Sequence, residues 1–454
     1  MRITFLRPNM WAGPSQGAME PLAFAILRGL TPGDVECTLQ DEQVEPLELD
    51  APADLVAMTV ETYTARRAYE VASTYRRRGI PVIMGGFHPT FLPGEALHFA
   101  DSVVVGDAEE LWGQVLGDFR KGALRPVYQA DSPPSLEGVV YDRSLFAGKR
   151  YLPLRPFQYG RGCRFACDFC SIHAYYGRSL RHRPLPEVAA ELEALQGEKL
   201  FLVDDNLFAE PDQARSLFET LGRYRISWVC QVSADISGDP ELVDLMAANG
   251  CVTVLIGFES LHPGNLSQMG KKWSLKVGDP GEVVRRFRER GIMVYGTFVF
   301  GYDQDSPEAF DATVDFAIRS RMCLANFNPL TPTPGTRLYD RLRREGRLRF
   351  RRWWLDPGFR YGDALFEPKG MTAKELANGC YRARRAFNTL GSMVRRGLDP
   401  GANARNPTNL GLFWYANRVS RREILRKQGI GLGSGVPLPA DPGPLTRDLY
   451  PAAS

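Results

Sequence analysis

The sequence lacks any run approaching the ~18 uninterrupted apolar residues that a membrane-spanning helix needs. A signal-peptide core is missing too, because MRITFLRPNMWAGP reads as a short β-strand entering a Gly/Pro loop. These two absences predict a cytoplasmic chain without a membrane span. In that compartment thiols stay reduced, which excludes a disulfide framework for the eight cysteines. Cys37, Cys230, Cys251, Cys323 and Cys380 stand singly in or beside apolar runs, where small buried side chains are expected. No fourth Cys or His is spaced to complete a zinc site, and no second cysteine group exists to hold an additional cluster. An excess of charge is also missing overall, at net +3, yet the two signs are unevenly placed. Residues 331–454 carry 23 Lys and Arg against 10 Asp and Glu, whereas residues 1–330 carry 33 against 43. The basic runs Arg341–Arg352 and Arg418–Lys427 read first as solvated faces, with an anionic substrate, a membrane surface or RNA as alternatives.

What is present begins with alternation of strand and helix patterns. RITFLRP, VECTLQD, DLVAMTV, IPVIMGG and DSVVVGD are strand candidates, with helical patterns at Pro21–Leu30 and Ala65–Arg78 between them. They predict an α/β domain of Rossmann type over residues 1–129 with a five-stranded parallel sheet, binding ligands at the strand carboxyl ends. Residues 130–153 read as a linker. From 154 to 330 one rhythm repeats six times, with strands near LRPFQYG, KLFLVDD, RISWVCQV, CVTVLIGF, IMVYGTFVF and CLANFNPL. Helices fit at Pro186–Gln196, Pro211–Tyr224, Pro240–Asn249, Pro280–Arg290 and Ser306–Ser320, which predicts a partial (β/α)6 barrel with its chemistry at the strand carboxyl ends. Residues 331–454 turn Pro-rich and then mainly helical and basic, a cap or third domain to which Trp353, Trp354 and Trp414 supply aromatic bulk. The stretch GIGLGSGVPLPADPGP is expected to be poorly ordered.

GRGCRFACDFC gathers Cys163, Cys167 and Cys170 in the loop after the first barrel strand. Electron-transfer clusters ordinarily take four protein thiolates, so three from one loop leave one iron open to a small molecule. The Cys-x3-Cys-x2-Cys spacing, with aromatic Phe169 before the last cysteine, Gly160 and Gly162 flanking, and six β/α units following, resembles the radical S-adenosylmethionine (SAM) superfamily. That resemblance implies a 4Fe-4S cluster on the three cysteines, SAM chelating the open iron, and reductive cleavage to a 5′-deoxyadenosyl radical. It also implies SAM contacts at the strand ends. Asp205 in VDDN is the candidate for the amino group, Gln231 and Ser233 end the third strand, Glu259 in GFES is the candidate for the ribose hydroxyls, and Gly296 in GTFVFG lies where adenine passes. VDDN departs from the Gly-Gly-Glu of many members, and an acidic residue there reads alternatively as a helix N-cap. His173, three residues past Cys170, reads as a loop residue.

The order of α/β domain, barrel and basic helical tail resembles the cobalamin-binding radical SAM class that includes hopanoid and bacteriochlorophyll methylases, as do GGFHPTFLP, VVVGDAEELW, GFESL, GTFVFGYD and LTPTPGTRLYDRLRREGR. The class implies a hydroxyl residue after the third strand, Thr59 or Thr62, and the Gly85-Gly86 pair after the fourth, where the cobalamin tail passes close to the backbone. The Asp-x-His-x-x-Gly stretch that supplies a cobalt ligand is absent, for the first loop reads PNMWAGPSQGAMEP. His88 then reads as a tail contact or a structural residue, and a domain that has lost cobalamin and only supports the barrel is the alternative. The function implied is methyl transfer to an unactivated carbon of a small molecule or lipid, with a radical cyclase, oxidase or rearrangement enzyme as the alternative. A flavodoxin or ferredoxin would donate electrons. No RNA-binding motif is evident, so nucleic acid is not an expected partner, and peripheral membrane association stays open.

Overall fold

The computed structural model describes residues 1–438 and 443. Its first sheet is parallel and six-stranded: β1 (Arg2–Arg7), β2 (Glu36–Asp41), β3 (Leu55–Thr59), β4 (Val82–Gly85), β5 (Ser102–Val105) and β6 (Val127–Gln129), in the order β2-β1-β3-β4-β5-β6. The count exceeds the expected five because VYQ is too short and too polar at its ends to read as a strand, yet it pairs with β5 from Val103 to Val105. β3 and β5 are apolar runs buried along almost their whole length, as strands covered on both faces must be.

Two helices cover one face, α1 (Leu22–Gly29) and α5 (Trp112–Arg120), with α2 (Ala65–Arg77) and the short α3 (Phe87–Phe91) and α4 (Pro93–Leu97) on the other side of the domain. Residues 130–153 are not slack chain. Phe146 joins Phe5, Phe24 and Trp112 in the core on the α1 face, and Arg143 pairs with Glu20 at 2.8 Å.

The second sheet starts with β7 (Arg155–Phe157). A two-residue hairpin, β8 (Gly160–Arg161) with β9 (Arg181–His182), encloses the cysteine loop and α6 (Ser171–Tyr176). Then follow α7 (Leu185–Ala194), β10 (Lys199–Leu202), α8 (Pro211–Leu221), β11 (Ser227–Val232), α9 (Pro240–Ala248), β12 (Cys251–Glu259), α10 (Pro263–Gln268), α11 (Pro280–Glu289), β13 (Met293–Phe300), α12 (Glu308–Arg319) and β14 (Leu324–Pro329). Their order, β14-β13-β12-β11-β10-β7, is sequential and parallel, and the edge strands are not paired with each other. This is an incomplete barrel. Burial alternates along β11, β12 and β13, so one set of side chains packs under the helices while the other lines the interior. Proline stands in the first two positions of five of these helices, α7 to α11, where its missing N–H costs nothing, and Asp239 and Asp279 cap two of them.

The C-terminal residues form α13 (Arg337–Arg344), α14 (Ala373–Phe387), α15 (Leu390–Gly397) and α16 (Pro407–Lys427). They are not a separate cap. Leu376, Cys380, Ala383 and Phe387 of α14 belong to the barrel core, whereas Trp353, Trp354 and Phe359 belong to the core on the α2 face of the first sheet. The tryptophans are fully buried, with Trp353 Nε1 donating to Pro332 O and Trp354 Nε1 to Glu95. Part of the basic excess is spent internally, since Arg341 pairs with Asp168, Arg347 with Asp303 and Arg352 with Glu95. Part of the Gly-rich stretch is ordered: Gly433 bridges to Trp11, Gly431 bridges to Arg360, and Ser434 N donates to Glu70. Within that stretch, residues 439–442 and 444 lie outside the described residues.

Candidate active site

The cysteine loop turns on Gly162, which adopts φ +101° and whose missing Cβ would collide with the Ser179 carbonyl. Ties to three other parts of the chain hold the loop. Gly162 N donates to Asp205 Oδ2 at 2.8 Å, Asp168 N donates to Met269 O at 3.0 Å, and Leu338 N donates to Asp168 O at 2.9 Å. The Asp168 carboxylate accepts from Tyr302 Oη at 2.5 Å and pairs with Arg341 at 3.0 Å, so the C-terminal region grips the loop between its second and third cysteines. Phe165 stacks on Trp273 at 3.8 Å.

Cys163, Cys167 and Cys170 are free and half-buried. Burial pushes all three thiols up, Cys167 to about 12; Cys167 feels Cys163 and Cys170, and Cys170 feels Cys163, so the three share one neighbourhood. Lys271, itself 7 % exposed, is the cation that acts on Cys163 and Cys167. The described residues hold no set of three His, Cys, Asp or Glu gathered for a single metal ion. Three thiols from one short loop beside a buried cation fit an anionic group that offers a different iron to each thiolate.

The strand ends knit this loop to the barrel. Asn206 Nδ2 reaches Cys163 Sγ at 3.7 Å while its Oδ1 accepts from Ser233 N at 3.1 Å and from Ser233 Oγ at 3.3 Å. Gln231 Nε2 donates to Asp205 O at 3.0 Å. Asp204 is buried and accepts from the N–H groups of Tyr159 and Gly160; desolvation lifts its carboxyl to about 7 and that of Asp205 to about 6. Neither carboxylate caps a helix. Glu259 takes φ +66°, a left-handed conformation that a non-glycine residue adopts at a cost, at a register shift between β12 and β13. Its carboxylate meets Lys271 Nζ at 3.3 Å, and Lys271 also donates to Gly257 O.

Gly296 does not stand with these residues. It lies mid-strand, and a Cβ on it would meet Met322 Sδ at 2.6 Å and Phe298 at 3.2 Å, on the helix-covered side of the sheet. Phe169 packs against the barrel core. His173 is on α6 rather than in a loop, its Nδ1 3.0 Å from Gly177 O.

A cleft of about 270 Å3 at the carboxyl ends of the first sheet is reached by Arg161 and Tyr175, which flank the cysteine loop on either side. Thr59, Gly85, Gly86, Gly106 and Asp107 line one wall, and Gln158, Arg161, Tyr175, Tyr176 and Val203 the other. Thr62 is buried and does not line it. Gly86, at φ +102°, has no room for a Cβ, which would sit 2.9 Å from Val60 O, whereas a Cβ on Gly85 would find only ordinary contact with Val104 at 3.8 Å. His88 is withdrawn from the cleft, fully buried with Nε2 3.1 Å from both Tyr69 Oη and Glu95 Oε1.

The two walls are joined through Asp107. It pairs with Arg161 at 3.0 Å and Arg181 at 2.8 Å and accepts from Tyr175 and Tyr176, while Glu109 takes the other Arg161 nitrogen at 2.6 Å. Sequence reading missed Lys271, Asp107 and Arg161. Only Arg161 carried a signal, as the residue between the two glycines of the cysteine motif.

A three-cysteine loop at the mouth of an open parallel barrel defines an enzyme class, and the comparisons agree with it. The radical SAM superfamily profile matches residues 157–317. The bacteriochlorophyllide d C-12(1)-methyltransferase of Chlorobaculum tepidum is 30% identical over 354 residues, covering 76% of each chain. The same organism's bacteriochlorophyllide d C-8(2)-methyltransferase is 28% identical over 409 residues, 82% of this chain and 90% of that one. Among solved structures, the radical SAM methyltransferase TsrM from Kitasatospora setae, described with cobalamin and a [4Fe-4S] cluster bound, superposes with a TM-score of 0.63 at 19% identity over 94% of this chain and 98% of that one, a likeness of fold. The chain belongs to the radical SAM superfamily.

Proposed function

We propose that the chain is a cobalamin-dependent radical SAM methyltransferase that methylates an unactivated carbon of a small molecule or lipid. The observation that carries this reading is the shared cleft: Thr59, Gly85 and Gly86 face Arg161 and Val203, which adjoin the cysteine loop and the strand end bearing Asp205. A carbon without a lone pair cannot attack SAM, and the two cofactors together supply hydrogen removal and a transferable methyl group.

In this reading Cys163, Cys167 and Cys170 ligate the 4Fe-4S cluster, and Lys271 offsets its negative charge. Phe169 backs the loop. Asp205, Gln231, Ser233 and Glu259 border the SAM site, with Asp205 and Gln231 acting by bracing the loop and the adjacent strand rather than by pointing free carboxylate or amide groups at the ligand. Thr59 and Gly85 let a bulky cobalamin approach the strand ends, and no histidine lines the cleft. We assign the protein to the cytoplasm with flavodoxin or ferredoxin as electron donor. Among the described residues no helix is long and apolar enough to cross a membrane.

Anaerobic reconstitution with iron, sulfide, cobalamin, SAM and a reductant tests the reading through its products. Methyl transfer leaves S-adenosylhomocysteine and radical formation leaves 5′-deoxyadenosine with methionine, so both should accumulate, and methyl-deuterated SAM should label the substrate. Production of 5′-deoxyadenosine without S-adenosylhomocysteine or label transfer would contradict methyl transfer and leave radical SAM chemistry standing.

A further inference from the structure

A large apolar side chain exposed singly is ordinary on a protein surface, whereas several gathered on one face mark an interaction site. Among the described residues nine are strongly exposed. Six of them, Leu390, Val394, Leu398, Trp414, Tyr415 and Leu425, belong to α15, its C-cap and α16.

α15 is built backwards for water. Leu390, Val394 and Leu398 recur every four residues and so form one outward stripe, with exposed Arg395 beside it. The opposite side buries Ser392 and Arg396 together with Met393. Arg396 donates to the carbonyls of Met322, Cys323 and Phe387, so polar groups serve the interior while leucines face out. α16 repeats the arrangement. Asn409, Phe413 and Asn417 are buried, and both asparagines are hydrogen-bonded to backbone carbonyls. Trp414, Arg418, Arg421, Arg422 and Leu425 are exposed and, at 3.6 residues per turn, fall within one arc of about 100°. The two helices pack on each other: Arg396 Nη2 donates to Asn417 Oδ1 at 2.9 Å, and a Cβ on Gly397 would meet the Phe413 ring at 3.0 Å. Each turns its exposed arc away from that contact.

The charge on this face has one sign. The side chains of Arg395, Arg418, Arg421 and Arg422 have no hydrogen-bond or carboxylate partner among the described residues. Between Leu390 and Lys427 the acids are Asp399, which is buried on Arg288, and Glu423, which pairs with Lys427.

We propose that the outward faces of α15 and α16 dock the protein on an anionic lipid surface, with the leucines and Trp414 entering the acyl boundary and the arginines meeting lipid phosphates. A second copy seated on this face would set arginine against arginine. RNA would match the arginines and leave Leu390, Val394 and Leu398 in water. A lipid surface satisfies both sets of side chains, and it explains why the helices send their apolar residues out. Arg396 and Asn417 bond Cys323 O at the amino end of β14, so this contact lies at the end of the barrel away from the cysteine loop, and docking leaves the cleft uncovered. The inference does not depend on methyl transfer.

The test sediments the full-length, cluster-loaded chain with vesicles of phosphatidylcholine alone or mixed with phosphatidylglycerol. Binding to the anionic vesicles should exceed binding to the neutral ones by more than about tenfold and should weaken as salt is raised. Replacing Arg418, Arg421 and Arg422 together with Gln should lower it by more than about tenfold. Replacing Leu390, Val394 and Leu398 together with Gln should weaken it independently. All six side chains are exposed, so both variants should keep the wild-type melting temperature and iron content. Lipids brominated on their acyl chains should quench tryptophan fluorescence of the wild type, and Trp414→Phe should remove that quenching. Failure of the wild type to bind anionic vesicles overturns the proposal, as do equal binding to neutral ones, undiminished binding in either triple variant, or quenching that persists in Trp414→Phe. Self-association that the leucine variant disperses, without vesicle binding, assigns the face to a second copy and overturns the lipid assignment. So does binding to a mixed-sequence RNA that exceeds vesicle binding at equal phosphate and ignores the leucine variant.

Discussion

The two α/β halves finish their strands differently. At the carboxyl ends of the first sheet stand Thr59, Gly85 and Gly106, and the space they leave is a cleft. At the carboxyl ends of the second stand Asp205, Gln231, Ser233 and Glu259, each already bonded to a neighbour or to the cysteine loop. Omitting side chains makes room for a bulky group held by shape. Fixing dipoles and charges in advance suits a charged group held by polarity, because the reorganisation is complete before the ligand arrives. In both halves the candidate residues stand at the strand carboxyl ends, where ligands of open parallel sheets bind, and Asp107 with Arg161 brings the two ends together.

The contrast breaks hardest at the thiols. Replacing Cys163, Cys167 and Cys170 together with Ala should abolish iron retention and SAM cleavage, as measured by iron analysis and 5′-deoxyadenosine yield, and should leave the first cleft intact. Changing the buried Cys230 or Cys380 instead should leave iron content at the wild-type level. Next in size is Gly85→Leu, which fills the cleft from a position with ordinary clearance; cobalamin retention should fall by more than about tenfold while iron content is unchanged. Gly86 is the poorer test, since any side chain there strains the backbone and lowers stability as well.

Severing the joint between the halves should cost less. Asp107→Ala leaves Arg181 without a carboxylate and Arg161 with Glu109 as its remaining carboxylate, and should destabilise the chain by about 3 kcal/mol in denaturant melts. An unchanged midpoint would mean that solvent replaces the bridge.

The smallest effect concerns Asp204. Its folded carboxyl, lifted to about 7 by desolvation, favours the protonated form, so the stability it contributes is complete below its ordinary value of 3.8 and is lost as pH rises through 7. Asp204→Asn should therefore melt higher than the wild type at pH 8, by about 1–2 kcal/mol, with the gap closing toward pH 4. A gap independent of pH would assign the effect to hydrogen-bond geometry.

The cysteine loop was legible because its chemistry needs residues close in sequence, and the barrel because six strand-helix repeats leave six periodic signals. The family resemblance pointed to Thr59 or Thr62 and to the Gly85-Gly86 pair, and of these Thr59, Gly85 and Gly86 line the cleft while Thr62 does not. Lys271 and Asp107 were not legible, since their partners are 12 and 54 residues away; GKKWS carries no signal, and VVVGDAEELW pointed to a family likeness without singling out Asp107. Gly296 misled because a glycine within a strand looks the same whether it admits a ligand or a neighbouring methionine; here Met322 fills the space. Burial of Trp353 and Trp354 was hidden as well, because their partners lie in a different half of the molecule, beyond the reach of local periodicity.

The central claim, that two differently finished sheets hold two different cofactors at one cleft, is tested most directly by measuring bound cobalamin and iron together. Wild type, Gly85→Leu and the triple cysteine variant would each be reconstituted and dialysed under identical conditions. The account predicts that wild type keeps both, Gly85→Leu keeps iron and loses cobalamin, and the triple variant keeps cobalamin and loses iron. Wild-type protein that is fully loaded with iron yet retains no cobalamin would contradict it.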